Sequence, residues 1–357
     1  MFRPKYTITN KILKDVGIID ASREVITNAP LVPSWEAKFR EEAIIRTVHF
    51  GTHLEGNELN YTEAAKVIGG GQIIGRERDV QEVINYRNVL KFIEDLSRPE
   101  ELASNNNKLS KKIISEEVIR KIHKMTVEKI LPREQCGVYR STQVVIRNSI
   151  TGEITFRPPP AVEVSYLMED FIKWFSSEDA EAVHSILKAG IIHFELVRIH
   201  PFVDGNGRVA RASATLVLAT SGYDVKRFFS LEEHYDSDAN RYYEALSKTT
   251  NSGDLTSWLE YFTEGLAIEL TRIKEKVQRL SVDLKMKKRH GQIALNERQI
   301  KILEYIQTIG FINNKAFREL FPMISEDTIL RDLQQLVKMR IIKKEGSTKK
   351  AQYVMRG

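Results

Sequence analysis

Apolar residues recur every three or four positions along most of the chain, and this spacing predicts a mainly α-helical protein. Residues 1–34, which contain three prolines, are instead predicted to be irregular. Ser34 is predicted to cap the first helix and Thr62 a later one. The predicted helices lie in these segments: 34–50, two within 60–96, 115–127, 162–175, 180–199, one after position 211, one from position 241, and 255–280.

Two runs rich in β-branched and apolar residues interrupt the helical pattern. Gln143–Arg147 and Glu153–Arg157 flank the turn-forming segment Asn148–Gly152, and this order predicts a β-hairpin. Three prolines follow it at positions 158–160. On the residues alone, this is an ordinary surface hairpin.

Residues 296–357 have a pattern of their own. Helical spacing begins near positions 300, 313 and 325, and a hairpin is predicted over 340–354. Three helices followed by a hairpin resemble a winged helix-turn-helix domain, in which the third helix enters the DNA major groove and the hairpin touches phosphates. The hairpin lysines that fit such contacts are Lys343, Lys344, Lys349 and Lys350. Glu326, Asp327 and Asp332 disfavour DNA, so a protein-binding or dimerisation role stays open.

Composition places the chain among globular proteins, because 42% of its 357 residues are hydrophobic and 29% are charged. This length predicts two or three domains. A single cysteine, Cys136, excludes an intrachain disulfide and fits a reducing compartment. Neither a run of about 20 apolar residues nor a signal-peptide pattern occurs, so we expect a soluble cytoplasmic protein without a membrane partner.

The net charge of +6 is concentrated near the C-terminus. Residues 279–290 contain five Lys or Arg and one acidic residue, and residues 291–357 contain twelve Lys or Arg and seven acidic residues. The rest of the chain is therefore slightly acidic. A basic region is where contact with nucleic acid is expected first, so DNA is a candidate partner of the C-terminal segment.

Twelve consecutive residues, His200–Arg211, concentrate the reactive side chains. Apolar helical patterns lie on both sides, which predicts a helix, a tight loop and a second helix. Gly205 and Gly207 allow close approach of the backbone, and the N–H groups that open the second helix favour an anion such as phosphate. A lone Gly-x-Gly more often marks only a turn, but here a histidine, a carboxylate and two arginines accompany it.

Each polar residue of this loop has a candidate role. Arg208 and Arg211, about one turn apart, would grip phosphate oxygens. Asp204 is a hard oxygen ligand that suits Mg²⁺ shared with substrate phosphates. His200 is the one group of the loop that takes up a proton near neutral pH.

The same twelve residues match the signature H-x-F-x-[DE]-G-N-G-R-x-x-R, and the chain therefore resembles the Fic family over roughly residues 40–265. That family commonly transfers AMP from ATP to a protein hydroxyl. The resemblance implies a Fic-type helical bundle with a β-hairpin flap, catalysis by His200, and a protein target bound along the flap edge by strand addition. It also implies that ATP contacts Asp204, Gly205, Asn206, Gly207, Arg208, Val209, Ala210 and Arg211 in the loop, Ile146, Arg147, Asn148 and Ser149 in the flap, and Tyr242, Tyr243 and Asn251 around adenine.

Glu55 follows the first strong helical pattern and, on the residues alone, is a solvated acid at a helix end. The resemblance gives it another meaning, because Fic proteins with an N-terminal inhibitory helix carry [ST]-x-x-x-E-[GN]. It implies an inhibitory helix at about residues 34–57, with Glu55 paired to Arg211 and obstructing the γ-phosphate of ATP. The chain departs from the motif, since Gly51 stands four positions before Glu55 and the hydroxyl belongs to Thr52.

These expectations divide the chain into an N-terminal helical region (1–100), a Fic catalytic core (101–265), a connecting helix and linker (266–290) and a winged-helix domain (291–357). The long helix at 255–280 would pack on the core, pair with a second copy, or do both. The favoured function is an autoinhibited, Mg²⁺-dependent protein adenylyltransferase that modifies a Ser, Thr or Tyr hydroxyl. Two alternatives stay open: removal of AMP at the same site, and a DNA-binding regulator whose Fic domain senses nucleotide.

Overall fold

The computed structural model describes residues 2–29, 31, 33–98, 114–147, 154–289, 295–322, 324–346 and 351–356. The chain forms two compact units, Met1–Lys276 and Val277–Gly357. Each unit has its own set of buried apolar side chains.

The first unit consists mainly of helices, as the apolar spacing predicts. In chain order the helices are α1 (Asn10–Thr27), α2 (Pro33–His53), α3 (Tyr61–Ile68), α4 (Glu77–Leu96), α5 (Glu116–Thr126), α6 (Val164–Phe175), α7 (Glu178–Glu181), α8 (Ser185–Ile199), α9 (Asn206–Thr220), α10 (Leu231–Ser237), α11 (Ala239–Ser252) and α12 (Thr256–Arg289). Single 3₁₀ turns occur at Arg133–Gln135, Ala161–Glu163 and Val225–Arg227.

α1 contradicts the expectation that residues 1–34 are irregular. Thr9 caps this helix, because its hydroxyl accepts a hydrogen bond from the Ile12 N–H at 3.3 Å. The buried positions of α1 are Ile12, Asp15, Ile19, Ser22 and Ile26. Two of these positions are polar, so the apolar stripe that identifies an amphipathic helix is too weak to recognise in the sequence.

The starts of two other helices differ slightly from the predicted ones. α2 begins one residue early, so Ser34 lies inside the helix and is not its N-cap. α3 is capped by Asn60 instead of Thr62, and Asn60 forms a capping box with Glu63. Several neighbouring polar residues are able to satisfy the same free N–H groups, so a sequence pattern does not choose between them.

α8 and α9 lie at the centre of the first unit and pack along each other. Trp258 of α12 donates a hydrogen bond from Nε1 to the Gly190 carbonyl of α8 at 2.7 Å. A Cβ at Gly190 would lie only 2.8 Å from the Leu259 side chain, so glycine permits this close approach. α8 is therefore held in a closely packed environment at Gly190, and the reactive loop begins where this helix ends.

The predicted β-hairpin is present as two short strands, β1 (Ile146–Arg147) and β2 (Ile154–Phe156). The strands are antiparallel, with Ile146 opposite Phe156 and an irregularity before the next pair. The turn predicted at 148–152 lies outside the described residues.

After the end of α12, which runs past Lys276, the described part of the second unit contains three helices and a three-stranded antiparallel sheet in the order β3-β5-β4. Its elements are α13 (Glu297–Ile309), β3 (Ile312–Asn313), α14 (Asn314–Leu320), α15 (Glu326–Lys338), β4 (Ile342–Glu345) and β5 (Gln352–Met355). The strands β4 and β5 form the predicted hairpin, whereas β3 was not predicted because two residues are too few to show alternation. In the part of the chain that the structure describes, no helix of either unit is long and apolar enough to cross a bilayer.

Candidate functional site

The reactive loop connects the end of α8 to the start of α9. His200 ends α8 in the left-handed conformation, with φ of 52°, and its N–H donates to the Leu196 carbonyl at 3.0 Å. Gly205 precedes α9, also left-handed, with φ of 78°. Two left-handed residues five positions apart turn the chain tightly, and α9 begins six residues after His200.

The His200 imidazole is oriented by its own helix. Its Nδ1 lies 3.3 Å from the Val197 carbonyl, which only accepts hydrogen bonds, so Nδ1 carries the proton of the neutral ring. Nε2 is then left with a free lone pair. Burial lowers the pKa of His200 to about 4, against smaller opposing effects of the Val197 carbonyl and Glu55. The imidazole is therefore neutral at pH 7 and able to accept a proton.

The Asn206 side chain holds the loop closed. Its Oδ1 accepts from the Phe202 N–H and its Nδ2 donates to the Phe202 carbonyl, both at 2.9 Å. The predicted contact of Asn206 with ATP therefore falls to its backbone. Val209 and Ala210, also predicted to contact ATP, have fully buried side chains, so they too offer only backbone atoms.

Two buried residues that the sequence analysis did not single out fix the loop from outside. The His123 ring stacks on Phe202 with 3.8 Å between ring centroids. Its Nδ1 accepts from the Gly137 N–H at 2.8 Å, so its Nε2 carries the proton and donates to the Asp204 carbonyl at 3.1 Å. Burial lowers the pKa of His123 to about 4, which keeps this tautomer neutral.

Arg140 joins the loop to the base of the hairpin. Its Nε donates to the His200 carbonyl at 2.8 Å, and its Nη2 donates to the Pro159 carbonyl at 2.6 Å. Its own N–H donates to the Pro201 carbonyl at 2.9 Å. Arg140 is buried, so these charge-assisted bonds are shielded from water. No local spacing points to this role, because its partners lie roughly 20 to 60 positions away in the chain.

Asp204 lies at the mouth of the loop with both carboxylate oxygens engaged. Oδ1 accepts from the Gly205 N–H at 2.5 Å and Oδ2 accepts from Arg78 Nη2 at 2.7 Å. Burial alone would raise the pKa of Asp204, but Arg208, the Gly205 N–H and Arg78 together hold it below its usual value. The carboxylate is therefore ionised at neutral pH. Arg78 was not predicted to belong to the site.

Arg208 and Arg211 place two buried guanidinium groups under the N-terminus of α9. Arg208 Nη1 lies 3.4 Å from Glu82 Oε1, and among the described residues its Nε and Nη1 make no hydrogen bond. Arg211 donates from Nη2 to the Gly51 carbonyl and to Glu55 Oε1, each at 2.8 Å. Buried donors with few partners, beside the free N–H groups of a helix, fit a negatively charged ligand.

The Glu55 carboxylate lies on this anion site. It follows the end of α2, where Gly56 has φ of 90° and turns the chain. A Cβ built on Gly207 would collide with Glu55 Oε1, so the carboxylate covers the first turn of α9. Glu55 thus occupies space that a phosphate bound to α9 and Arg211 would need.

The departure from the inhibitory motif has a structural reason. A Cβ at Gly51 would lie 2.6 Å from the Tyr86 ring, and the Gly51 carbonyl is the acceptor for Arg211. The Thr52 hydroxyl donates within its own helix, to the Val48 carbonyl at 2.9 Å. Close packing at a glycine therefore replaces a hydroxyl at the position four before Glu55.

The tyrosine pair predicted around adenine is divided between core and surface. Tyr242 is buried and its hydroxyl lies 2.9 Å from His193 Nε2, so its ring is part of the core, and its contact with adenine stays a prediction. Two aromatic residues in succession on a helix cannot both face one cleft. Tyr243 is half exposed and donates to the Leu54 carbonyl at 3.3 Å, beside Glu55.

Asn251 and the hairpin contain the remaining residues that were predicted to contact ATP. Asn251 lines a shallow hollow on α11 together with Glu244, Ser247, Lys248 and Ser252. No hydrogen bond within the described ranges joins Asn251 to the reactive loop. Ile146 and Arg147 form β1, whereas Asn148 and Ser149 lie outside the described residues.

Comparisons with known proteins agree with this arrangement. Residues 113–218, which include the reactive loop, match the model of the Fic/DOC family. A Fic family protein from Desulfovibrio desulfuricans G20 superposes with a TM-score of 0.66 at 23% identity, covering 100% of this chain and 99% of that one. The segment 113–218 of the chain is therefore similar to the Fic/DOC family. Fic-1 from C. elegans shares the fold with a TM-score of 0.57 at 23% identity, covering 77% of this chain and 74% of that one.

Curated proteins that match this chain carry the name Protein adenylyltransferase Fic. The protein from Nematostella vectensis is 27% identical over 68% of this chain and 52% of its own length. The protein from Culex quinquefasciatus is 24% identical over 69% of this chain and 45% of its own length. The chain therefore spans about half the length of the curated relatives it matches.

The reactive loop suits one kind of metal site. Asp204 is ionised and its side chain is one-third exposed, so it is an accessible hard ligand. The described residues contain no group of three or more His, Cys, Asp or Glu side chains that would hold a metal. A divalent cation here would need most of its ligands from phosphates and water, which is how Mg²⁺ usually binds with nucleotides.

Proposed function

We propose that the protein is an Mg²⁺-dependent adenylyltransferase that transfers AMP from ATP to a Ser, Thr or Tyr hydroxyl of a protein target or of itself. One observation carries this proposal: a neutral His200 lies on the same loop as the N-terminus of α9 and two buried arginines. A base beside an anion site is the minimum equipment for nucleotidyl transfer. The names of the curated relatives support the choice of adenylate.

The reaction follows from the positions of these groups. The target hydroxyl gives its proton to His200 Nε2, and its oxygen attacks the α-phosphorus of ATP. The bond from that phosphorus to the bridging oxygen breaks and pyrophosphate leaves with the electron pair. Arg208 and the N–H groups of α9 stabilise the negative charge that grows on the phosphates. Bound to Asp204, Mg²⁺ would offset the charge of the α- and β-phosphates.

We infer that Glu55 restrains this activity. Its carboxylate forms the 2.8 Å pair with Arg211 and covers Gly207, so a terminal phosphate and Glu55 compete for the same donors. The target would lie along the hairpin edge, where main-chain hydrogen bonds recruit an extended segment with little sequence preference.

The test uses ATP labelled at either the α- or the γ-phosphate, incubated with the protein, Mg²⁺ and a cell lysate. Compared with lysate alone, whose own kinases transfer the γ-phosphate, we expect the protein to add label from the α-position to protein bands and none from the γ-position. The His200→Ala variant serves as the control and should transfer neither label. Transfer from the γ-position would show a kinase instead, and equal α-label with His200→Ala would refute the assigned base. Mass spectrometry of the labelled bands then identifies the modified hydroxyl.

A second candidate function is removal of AMP from a modified protein. One observation favours it: Glu55 contacts Arg211 through Oε1, and the Glu55 side chain remains 27% exposed beside the N-terminus of α9. A carboxylate in that position would orient a water for attack on the α-phosphorus. Release of AMP from a modified target by the wild-type protein, lost on Glu55→Gly, would identify this activity.

We further propose that the second unit is a winged-helix module. Three helices followed by the β4–β5 hairpin support this assignment, with Lys343 and Lys344 exposed on β4. Lys349 and Lys350 lie outside the described residues. Asp332 is buried and paired with Arg298 at 2.7 Å, so it does not oppose DNA, whereas Glu326 and Asp327 are exposed and do. Salt-sensitive binding of duplex DNA, altered by ATP, would favour the regulator hypothesis.

A further inference from the structure

Arg78 is a site residue that no sequence pattern indicated. It lies in the first turn of α4, and its guanidinium reaches two acidic residues. Nη2 donates to Asp204 Oδ2 at 2.7 Å and Nε donates to Glu82 Oε1 at 3.1 Å. The Arg78 side chain is 58% exposed, so it is held mainly by these two partners.

These contacts belong to a ring of four alternating charges. Arg78 contacts Asp204 and Glu82, and Arg208 closes the ring on the other side. Arg208 lies 3.8 Å from Asp204 Oδ1 and 3.4 Å from Glu82 Oε1. Glu82 is buried and its second oxygen accepts from Asn57 at 3.0 Å, so this carboxylate is fixed.

The members of this ring differ in how easily they move. Arg208 and Glu82 are buried, and displacing either would leave an uncompensated charge in the interior. The Arg78 side chain is mostly exposed to water, where ion pairs are weak. Arg78 is therefore the member that a competing cation would displace.

Asp204 Oδ2 is the oxygen on which this competition acts. Oδ1 already accepts from the Gly205 N–H and faces Arg208, so Oδ2 is the more accessible ligand for a metal. With Arg78 at 2.7 Å, that oxygen is covered by a guanidinium. A divalent cation must remove Arg78 before it coordinates Oδ2 directly.

We propose that Arg78 is a guard of the metal ligand: it pairs with Asp204 when no metal is bound and competes with the divalent cation for Oδ2. The inference rests on the proposed role of Asp204 as the metal ligand. After displacement, Arg78 remains tethered to Glu82 through Nε. Its positive charge therefore stays at the mouth of the anion site, close to where phosphates would bind.

The experiment measures Mn²⁺ affinity by electron paramagnetic resonance, using the full chain with saturating ADP. ADP lacks the terminal phosphate that Glu55 is proposed to obstruct, so inhibition does not mask binding. We expect Arg78→Ala to bind Mn²⁺ about two- to fivefold more tightly than wild type, as loss of an exposed ion pair implies. Asp204→Asn should weaken Mn²⁺ binding.

Arg76→Ala is the matched control. Arg76 lies two residues earlier and is similarly exposed, but it pairs with Asp79 and Glu58 at 2.8 and 3.1 Å. Removing it subtracts the same charge without freeing Asp204, so we expect wild-type affinity. Equal tightening by both variants would reduce the effect to net charge and overturn the proposal.

Unchanged or weaker Mn²⁺ binding by Arg78→Ala would also overturn it, and weaker binding would mark Arg78 as a phosphate ligand instead. The outcome is independent of AMP transfer. Tighter Mn²⁺ binding by Arg78→Ala, with no AMP transfer by the wild-type protein, would refute only the proposed function. AMP transfer without tighter Mn²⁺ binding by Arg78→Ala would refute only the competition between Arg78 and the metal.

Discussion

The N-terminus of α9 has two sides, and they are held in different ways. On the loop side, His123, Arg140 and Asn206 are buried and form short hydrogen bonds to backbone groups. On the other side, Arg211 of α9 binds the buried Gly51 carbonyl of α2 and the partly exposed Glu55 carboxylate that follows α2. Tyr243 of α11, also partly exposed, donates to the Leu54 carbonyl beside Glu55. We call the loop His200–Arg211, together with the first turn of α9, the cradle. The contrast indicates that the cradle is fixed, whereas the Glu55 carboxylate that covers it is displaceable.

Energies support that distinction. A buried hydrogen bond to a charged group contributes about 1.5–3 kcal/mol, and Arg140 makes several. A solvent-facing ion pair contributes about 1 kcal/mol or less. Glu55 lies between these limits, because Arg211 is buried while Glu55 is not. We therefore expect an anionic ligand to displace Glu55 from Arg211 more easily than it breaks the buried hydrogen bonds of the loop.

The largest expected effect comes from His200→Ala, which removes the proposed base and leaves the side chains of His123, Arg140 and Asn206 that hold the loop. Loss of a general base lowers transfer by about 10²–10⁴-fold, which a labelled-ATP assay would register as abolition. Because position 200 is left-handed, we expect a small loss of stability with alanine. His200→Asn tolerates that conformation better and should be equally inactive. Substantial transfer by either folded variant would contradict the assignment.

Arg140→Met tests whether the loop side is as rigid as its contacts imply. Four carbonyl groups lose a charged donor, so we expect roughly 3 kcal/mol less stability in urea unfolding. Transfer should fall as well, because the His200 carbonyl is one of the four. Arg133→Met, at an exposed position of the same segment, should change stability by less than about 0.5 kcal/mol. Comparable stability of the two variants would mean that the cradle does not depend on Arg140.

Glu55→Gly tests the removable side. Freeing Arg211 and the first turn of α9 should raise self-modification about tenfold, which corresponds to about 1.4 kcal/mol. The control is Glu58→Gly, which removes an exposed acid three residues later that pairs with Arg76. If intact-mass measurements show the same extent of modification in both variants, Glu55 is not an inhibitor.

The smallest effect concerns pH. The pKa of buried His123 is about 4 in the folded chain and near 6.5 when exposed, so the unfolded state binds the proton first as pH falls. Stability from this residue is complete above pH 6.5 and is lost towards pH 4. Between pH 7 and 5.5 we expect the free energy of unfolding, measured by urea titration, to fall by about 1 kcal/mol from this residue. His123→Gln should lack this share of the loss, and an identical pH dependence would show that folding does not lower the pKa of His123.

The sequence was informative where the chemistry is local. The order His200, Asp204, Gly205, Arg208 was enough to predict the tight loop, the start of α9 and the carboxylate of Asp204 as a ligand. Glu55 became meaningful only through a family resemblance, because its partner lies 156 positions away. His123, Arg140 and Arg78 were missed for the same reason, since their contacts with the loop depend on tertiary packing.

Other differences come from burial rather than distance. Tyr242 and Tyr243 are equivalent in sequence, yet only the packing of α11 decides that Tyr242 enters the core. α1 was missed because Asp15 and Ser22 occupy its buried face. Polar residues inside a core are invisible to a pattern that reads hydrophobicity alone.

The most direct test of the fixed cradle and its removable carboxylate is calorimetric binding of ATP and ADP, with Mg²⁺, to the wild-type and Glu55→Gly chains. Glu55 is proposed to obstruct only the terminal phosphate. The account therefore predicts that Glu55→Gly binds ATP about tenfold more tightly and leaves ADP affinity unchanged. Equal gains for both nucleotides, or no gain for ATP, would contradict it.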